Sequence, residues 1–218
     1  AEDLDLAGKK GANAQRARKS QTNLSHFQFQ LALCAAILGC CVSMGLPLAH
    51  LVAHATDRGL ALTDAVTVLS VTLMAAFTSR VLIVGLLSDR YGGLMALFCF
   101  SALQAAMLGL LTMADTTLLL YVVGIGFGLG YGGIFPVYAV IVREYMPPEE
   151  AGRRTGIVFL FGACAMGFGS WMGGNLFDVT GSYTLPFLIG VAANATNLVI
   201  VGILMTKTRT VNPAVSPA

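Results

Sequence analysis

Arg80 is the first residue in the sequence that calls for a chemical explanation. It lies eight positions before Ser88 in an otherwise apolar run, which puts it about 12 Å inside the end of a helix that rises about 1.5 Å per residue. A charge at that depth in hydrocarbon is costly and normally faces a cavity or a partner. Two readings follow: Arg80 is the ligand of an anion, or it is paired structurally or snorkels toward the near membrane surface. A second group lies further on, in a glycine-rich run. At about 100° per residue, Tyr131, Phe135 and Tyr138 share one helical face, roughly opposite Gly126, Gly130 and Gly133. The glycine face is expected to pack against another helix and to leave the aromatic face for a cavity, with Tyr131 nearest mid-membrane and able to donate a hydrogen bond. Packing or lipid contact is the competing reading of these aromatics. Pro136 removes one helical hydrogen bond and is a candidate hinge.

Enzymatic chemistry finds little footing. Ser170 beside Trp171 would need an intramembrane histidine late in the chain, but the histidines are His26, His50 and His54, all before the second apolar run. The G-x-G-x-G stretch follows no strand and precedes no P-loop lysine, so it is not a nucleotide loop. No cofactor or metal site is expected. His50 and His54 fall at the outer end of the first apolar run, where solvated loop histidines are expected and tuning of outside pH sensitivity is the alternative. The five cysteines, Cys34, Cys40, Cys41, Cys99 and Cys164, lie in apolar runs without a C-x-x-C pair and read as small buried hydrophobes that stay reduced.

The elements that position these residues show themselves through a repeat. Gly85-Leu86-Leu87-Ser88-Asp89-Arg90-Tyr91-Gly92 and Gly174-Asn175-Leu176-Phe177-Asp178-Val179-Thr180-Gly181 both read G-x-L-x-D-x-x-G, 89 positions apart from Gly85 to Gly174. Each copy closes the second of three long apolar stretches. Six such stretches, near 27–49, 65–87, 94–113, 118–142, 156–176 and 185–205, are each long enough for the roughly 20 residues of a bilayer-spanning helix. Three crossings per unit put the two copies on opposite sides of the bilayer, and this makes an inverted-topology repeat. In hydrocarbon each backbone amide needs an internal partner, so such runs must be helical. No Asp or Glu falls inside these boundaries, so a proton-carrying carboxylate is not evident. Gly162, Ala165, Gly169 and Gly173 read as a helix-packing seam, and Asn194 and Asn197 as interhelical hydrogen-bonding groups.

Composition agrees. With 56% hydrophobic and 11% charged residues and a mean hydropathy of +0.76, the chain reads as an integral membrane protein. Residues 1–24 form a polar, basic segment expected to be a flexible cytosolic arm, with a six-helix domain over 25–206 and a cytosolic tail over 207–218. A basic run beside a first membrane span reads as a topology anchor, and no nucleic-acid partner is expected. Lacking an initiator Met, the chain reads as a processed product or a piece of something longer. The basic residues Lys9, Lys10, Arg16, Arg18, Lys19, Arg90, Arg143, Arg153, Arg154, Lys207 and Arg209 fall on one side of the six-span scheme and Arg58 alone on the other. This bias places both termini in the cytosol, Asp89 inside and Asp178 outside.

The G-x-L-x-D-R-x-G phrase between two membrane helices resembles the loop motif of the major facilitator superfamily. Those transporters have twelve helices in two six-helix halves, each half made of two inverted triplets, with this loop after the second helix of a half. The basic residues that often extend the motif are replaced here by Gly93 and Leu94, a form similar to the copy in the carboxy-terminal half. The resemblance covers residues 25–206, so the chain looks like helices seven to twelve, and its polar arm looks like the loop between halves. Tyr131-Gly132-Gly133-Ile134-Phe135-Pro136, with Pro147-Pro148-Glu149-Glu150-Ala151-Gly152-Arg153, resembles the monocarboxylate and oxalate/formate branch.

The resemblance implies an all-α membrane fold of six transmembrane helices in two inverted three-helix repeats. It implies a secondary transporter of a small organic anion such as a monocarboxylate or dicarboxylate, working by alternating access in the plasma (inner) membrane. The partners would be the lipid bilayer, the anion and an amino-terminal six-helix half on the same or a separate chain. Arg80 matches an arginine that contacts the substrate carboxylate in that branch. Ala76 stands where an Asp is frequent, and the fifth span lacks the lysine of oxalate-type carriers. Asp89 is expected to neutralise the start of the fifth span near Thr155, and Arg90 to bridge acidic groups or carbonyls, while the motif glycines allow close helix approach and a tight reversal. A non-transporting six-span assembly factor or sensor is the rival reading.

Overall fold

The computed structural model describes residues 21, 22 and 24–209. The chain forms α1 (His26–Asp57), α2 (Leu62–Thr78), a π-helical turn (Ser79–Ile83), α3 (Val84–Tyr91), α4 (Gly93–Leu111), α5 (Thr117–Gly132), α6 (Ile134–Tyr145), a 3₁₀ turn (Pro148–Glu150), α7 (Ala151–Thr180) and α8 (Thr184–Lys207). α2, the π turn and α3 run on as one span, and α5 and α6 as another. Among the described residues, six helices are therefore long and apolar enough to cross a membrane: His26–Asp57, Leu62–Tyr91, Gly93–Leu111, Thr117–Tyr145, Pro148–Thr180 and Thr184–Lys207. Two-residue strands, β1 (Gln21–Thr22) and β2 (Thr208–Arg209), pair antiparallel beside the start of the first span and the end of the sixth. Most of the amino-terminal arm and of the tail lies outside the described residues.

Local chemistry sets the helix ends. Ser25 caps the first span: its hydroxyl accepts from Gln28 N–H while the Gln28 side chain accepts from Ser25 N–H, a complete capping box. Thr116 caps the fourth span through Leu119 N–H at 3.3 Å. Gly92 (φ 83°) and Gly181 (φ 66°) end the second and fifth spans in backbone conformations that L side chains rarely adopt.

Several helices run past the boundaries read from hydropathy. The first continues beyond Ala49 to Asp57, because nothing in His50–Asp57 breaks a helix and its two histidines find acceptors on neighbouring spans. The fourth continues to Tyr145 and takes in Glu144, whose carboxylate accepts from Gly93 N–H at 3.0 and 3.3 Å and caps the third span. A carboxylate thus does sit inside a helix end, though not in mid-span.

The packing obeys the repeat. The first span lies against the fifth and sixth, the fourth lies against the second and third, and the third meets the sixth. Exchanging spans one, two and three for four, five and six leaves that pattern of neighbours unchanged, which is the structural content of an inverted repeat. Pro47 and Pro136 keep the same 89-residue offset as the motif copies. Asp89 and Asp178 lie at opposite ends of the bundle.

Small residues set the spacing, since between lipid-solvated helices association rests on close van der Waals contact. Gly126, Gly130 and Gly133 pack on Met107, Gln104 and Phe100 of the third span, as their shared face implies. Gly124, Gly128 and Gly132 form a second packing face that the sequence reading did not separate out; it lies against Thr72 and Ala76 of the second span. Gly162, Gly169 and Gly173 seat on Ile37, Val42 and His50 of the first span, so the expected fifth-span seam is present.

Buried polar groups cross-link the bundle core. Asn194 Nδ2 donates to Ser101 O (3.1 Å), Asn197 Nδ2 to Asn194 Oδ1 (3.1 Å) and the Tyr138 hydroxyl to Asn197 Oδ1 (3.3 Å). Gln104 Nε2 donates to Cys40 O and to Ser43 Oγ, both at 3.1 Å. The two asparagines therefore do bridge helices, as expected. All five cysteines are free thiols, but Cys99 and Cys164 are exposed on the outside of the bundle, whereas only Cys34, Cys40 and Cys41 are buried.

Candidate functional site

The second and fourth spans cross at backbone contact, and both are irregular there. Pro136 has no N–H, so the Gly132 carbonyl four residues earlier loses its helical donor. The fourth span breaks at Gly133, whose N–H turns to Tyr131 O instead of continuing the ladder. In the second span the π turn over Ser79–Ile83 closes with Val84 N–H bonded to Ser79 O, five residues back. Side chains of the π turn reach the open carbonyls of the broken helix. Ser79 Oγ donates to Leu129 O at 2.7 Å and Arg80 Nε donates to Gly132 O at 3.2 Å.

Arg80 is otherwise exposed at the bundle surface. Among the described residues its terminal amino groups have no hydrogen-bond partner. Tyr131, 7% exposed, is an electrostatic neighbour of Arg80, and its ring lies 5.4 Å from that of Phe127. This corner offers an unspent guanidinium fork with a phenol beside it, which is chemistry suited to a carboxylate.

The aromatic face divides between roles. Phe135 is half-buried and meets Phe159 edge-on at 5.1 Å, in the seam between the fourth and fifth spans. Tyr138 is fully buried in the polar core network, so the expectation that the whole face fronts a cavity fails for it. Helical periodicity reports which residues share a face, not what stands opposite each turn of it.

The two motif copies differ in surroundings. A Cβ placed on Gly85 would meet nothing within 4 Å, so within this bundle Gly85 makes no close helix approach. Gly174, its twin, lies against His50, whose Cε1 would stand 3.7 Å from an added Cβ. Asp89 is exposed in the last turn of the second span and has an interaction partner there. Arg90 is exposed and lies over the Tyr91 ring at 5.4 Å, a cation–π contact in place of the expected bridge to acidic groups or carbonyls. Asp178 is exposed at the other end.

Around Asp178 the sequence reading missed a cluster. His50 and His54 are helical, not loop residues. His54 is 2% exposed and its Nε2 lies 3.2 Å from Leu111 O; His50 Nε2 lies 2.8 Å from Ser170 O. Carbonyl oxygens only accept, so both rings carry their proton on Nε2. The Tyr183 ring lies tilted 5.2 Å from that of His50, meets that of His54 edge-on at 6.0 Å and stacks on Phe177 at 4.3 Å. Burial pushes the Tyr183 hydroxyl above its ordinary value, and the negative charges of Asp57 and Asp178 add to this. The i, i+4 spacing of the histidines was the available signal, since it puts both on one helical face. Arg58, the one lysine or arginine at this end among the described residues, pairs with Asp115 and donates to Thr112 O at 3.0 Å.

Six membrane-capable helices in two inverted triplets, with a charged group at the surface of one triplet, define a multi-pass integral membrane protein built on a secondary-transporter plan. The chain belongs to the Major Facilitator Superfamily, whose family model matches residues 31–218. It is 30% identical over 163 residues to monocarboxylate transporter 13 of Rattus norvegicus, a match that takes in 74% of this chain and 37% of that protein. Monocarboxylate transporter 13 of Bos taurus is 29% identical over 163 residues, with the same coverage. The matched region is thus well under half the length of these curated relatives.

Proposed function

We propose that this chain is one six-helix half of a secondary active transporter for a small organic anion, a monocarboxylate or dicarboxylate. The observation that carries the proposal is the exposed Arg80 guanidinium, with its terminal amino groups unspent, next to Tyr131. In the complete carrier Arg80 binds the carboxylate by a charge-assisted fork, Tyr131 adds a hydroxyl, and Phe135 contributes to the apolar wall one helical turn away. Alternating access follows from rocking of this bundle against a second six-helix half, supplied by the same or another chain. Gly85, open on its outer face, is where a helix of that half comes close; Asp89, Arg90 and Gly92 form the turn that holds this junction, with Gly174, Asp178 and Gly181 as its counterpart at the other end. Both termini are cytosolic on the strength of the basic-residue bias, and the membrane is the plasma (inner) membrane. The names of the monocarboxylate relatives support the substrate class.

The test is equilibrium binding of a panel of radiolabelled small carboxylates to membranes holding the full gene product, wild type against Arg80→Ala and Arg80→Lys. Saturable binding of one carboxylate, lost in both variants at normal expression, is the expected result. Binding that survives both substitutions would make Arg80 structural, overturn the anion-ligand role and leave only the superfamily membership standing.

A further inference from the structure

We infer that Arg80 is also a positioning residue, a clamp that stands in for the backbone donor Pro136 lacks and so sets the bend of the fourth span. Within a bilayer an unpaired carbonyl has no water to turn to, so a proline in mid-span must be matched by a donor from elsewhere. The carbonyl that Pro136 releases is Gly132 O, and the group that reaches it is Arg80 Nε, at 3.2 Å. One residue earlier in the second span, Ser79 Oγ serves Leu129 O at 2.7 Å. Gly132 sits against Ala76, and Gly128 against Thr72, so closely that a Cβ on either would collide with the opposing backbone. The two spans thus meet without a layer of side chains between them, and the clamp acts at the point of closest approach.

The π turn occurs where these two donors are needed. Arg80 and Ser79 are its first two residues, and the break at Gly133 is the irregularity they face. Two helix defects that would each be a weakness alone are joined by two hydrogen bonds into one jointed unit. The second repeat is built differently: the position 89 residues beyond Arg80 is Gly169, which has no donor and packs directly on Val42. The joint between the second and fourth spans therefore has no counterpart between the fifth and the first.

Nε holds Gly132 while the terminal amino groups remain open, so the same guanidinium can hold the helix bend and take an anion. Binding at one edge then biases the bond made at the other, and by linkage the bend of the fourth span feeds back on anion affinity by the same factor.

The test is a double-mutant cycle on the substrate-free full gene product in detergent. Pro136→Ala returns an N–H to the fourth span opposite Gly132 O and makes the clamp redundant. Arg80→Met is expected to lower the melting temperature by several degrees and to speed hydrogen exchange across residues 130–140. In the Pro136→Ala background the same change should have less than half that effect. Equal losses in the two backgrounds, or no loss in either, would overturn the clamp. Should Arg80→Met fail to accumulate, the Nε–H resonance of Arg80 decides the question. It is expected to exchange slowly in the wild type and quickly in Pro136→Ala, and fast exchange in both sinks the inference. Because no carboxylate is present, failure here leaves the anion-binding role untouched, and loss of carboxylate binding leaves the clamp untouched.

Discussion

The two triplets share a plan and differ in what they place at one matched position. In the first, Arg80 reaches across to the carbonyl left open by Pro136. In the second, Gly169 lies directly on the first span, and Ser170 closes the contact by donating to Gly45 O at 3.0 Å. The same helix crossing is thus built once as an irregular joint held by an arginine and once as a glycine seam closed by a serine hydroxyl. Internal symmetry fixes where the helices go; the departures from it are the places where function can reside. The motif copies show a second contrast, because Gly85 faces open space while Gly174 is covered by His50.

Substitutions at paired positions sharpen the comparison. The largest effect is expected at the seam. Gly169→Leu drives a side chain into the Val42 backbone, and overpacking of this kind costs about 1–3 kcal/mol or more. It should lower the melting temperature in detergent sharply, or abolish accumulation, whereas Gly85→Leu should leave the melting temperature of a separately expressed six-helix bundle unchanged. A drop at Gly85 as large as at Gly169 would erase the distinction between the copies.

Next is His54, whose partner at the 89-residue offset is Arg143, exposed on the other end. His54→Ala strips a buried bond to Leu111 O and empties space against Tyr183 and Phe187, at a cost of about 1–3 kcal/mol. Arg143→Ala should change stability by less than about 0.5 kcal/mol. Chemical denaturation of the two variants side by side checks the asymmetry. Smaller again is Glu144→Ala, which uncaps the third span at Gly93. A loss of about 0.5–2 kcal/mol is expected, with faster hydrogen exchange confined to the first turn after Gly93. Asp178→Asn, on an exposed turn, should lie within about 0.5 kcal/mol of wild type.

Much of this architecture could be read from the chain, for reasons that differ by feature. Six apolar runs and a phrase repeated at a fixed offset were enough for the inverted triplets, because bilayer thickness and backbone satisfaction leave few alternatives. Gly126, Gly130 and Gly133 pointed to their packing partner because helical periodicity is local. The histidine cluster was not legible: hydropathy closes the first span at Ala49, and only the carbonyls of Leu111 and Ser170, distant in sequence, show why the helix continues. The role of Glu144 was hidden for the same reason. At the candidate site, depth in an apolar run singled out Arg80, and the lost donor of Pro136 was visible as well. That the two answer one another depended on a π turn and a helix crossing that no spacing rule encodes. Tyr138 went the other way, since its face pointed to a cavity and the tertiary contacts placed it on Asn197.

The most direct test of the account is uptake of a labelled small carboxylate into proteoliposomes holding the full gene product. The account predicts saturable uptake by the wild type and none by Arg80→Ala reconstituted at equal density. Undiminished uptake by folded Arg80→Ala, or no carboxylate transported by the wild type, would contradict it.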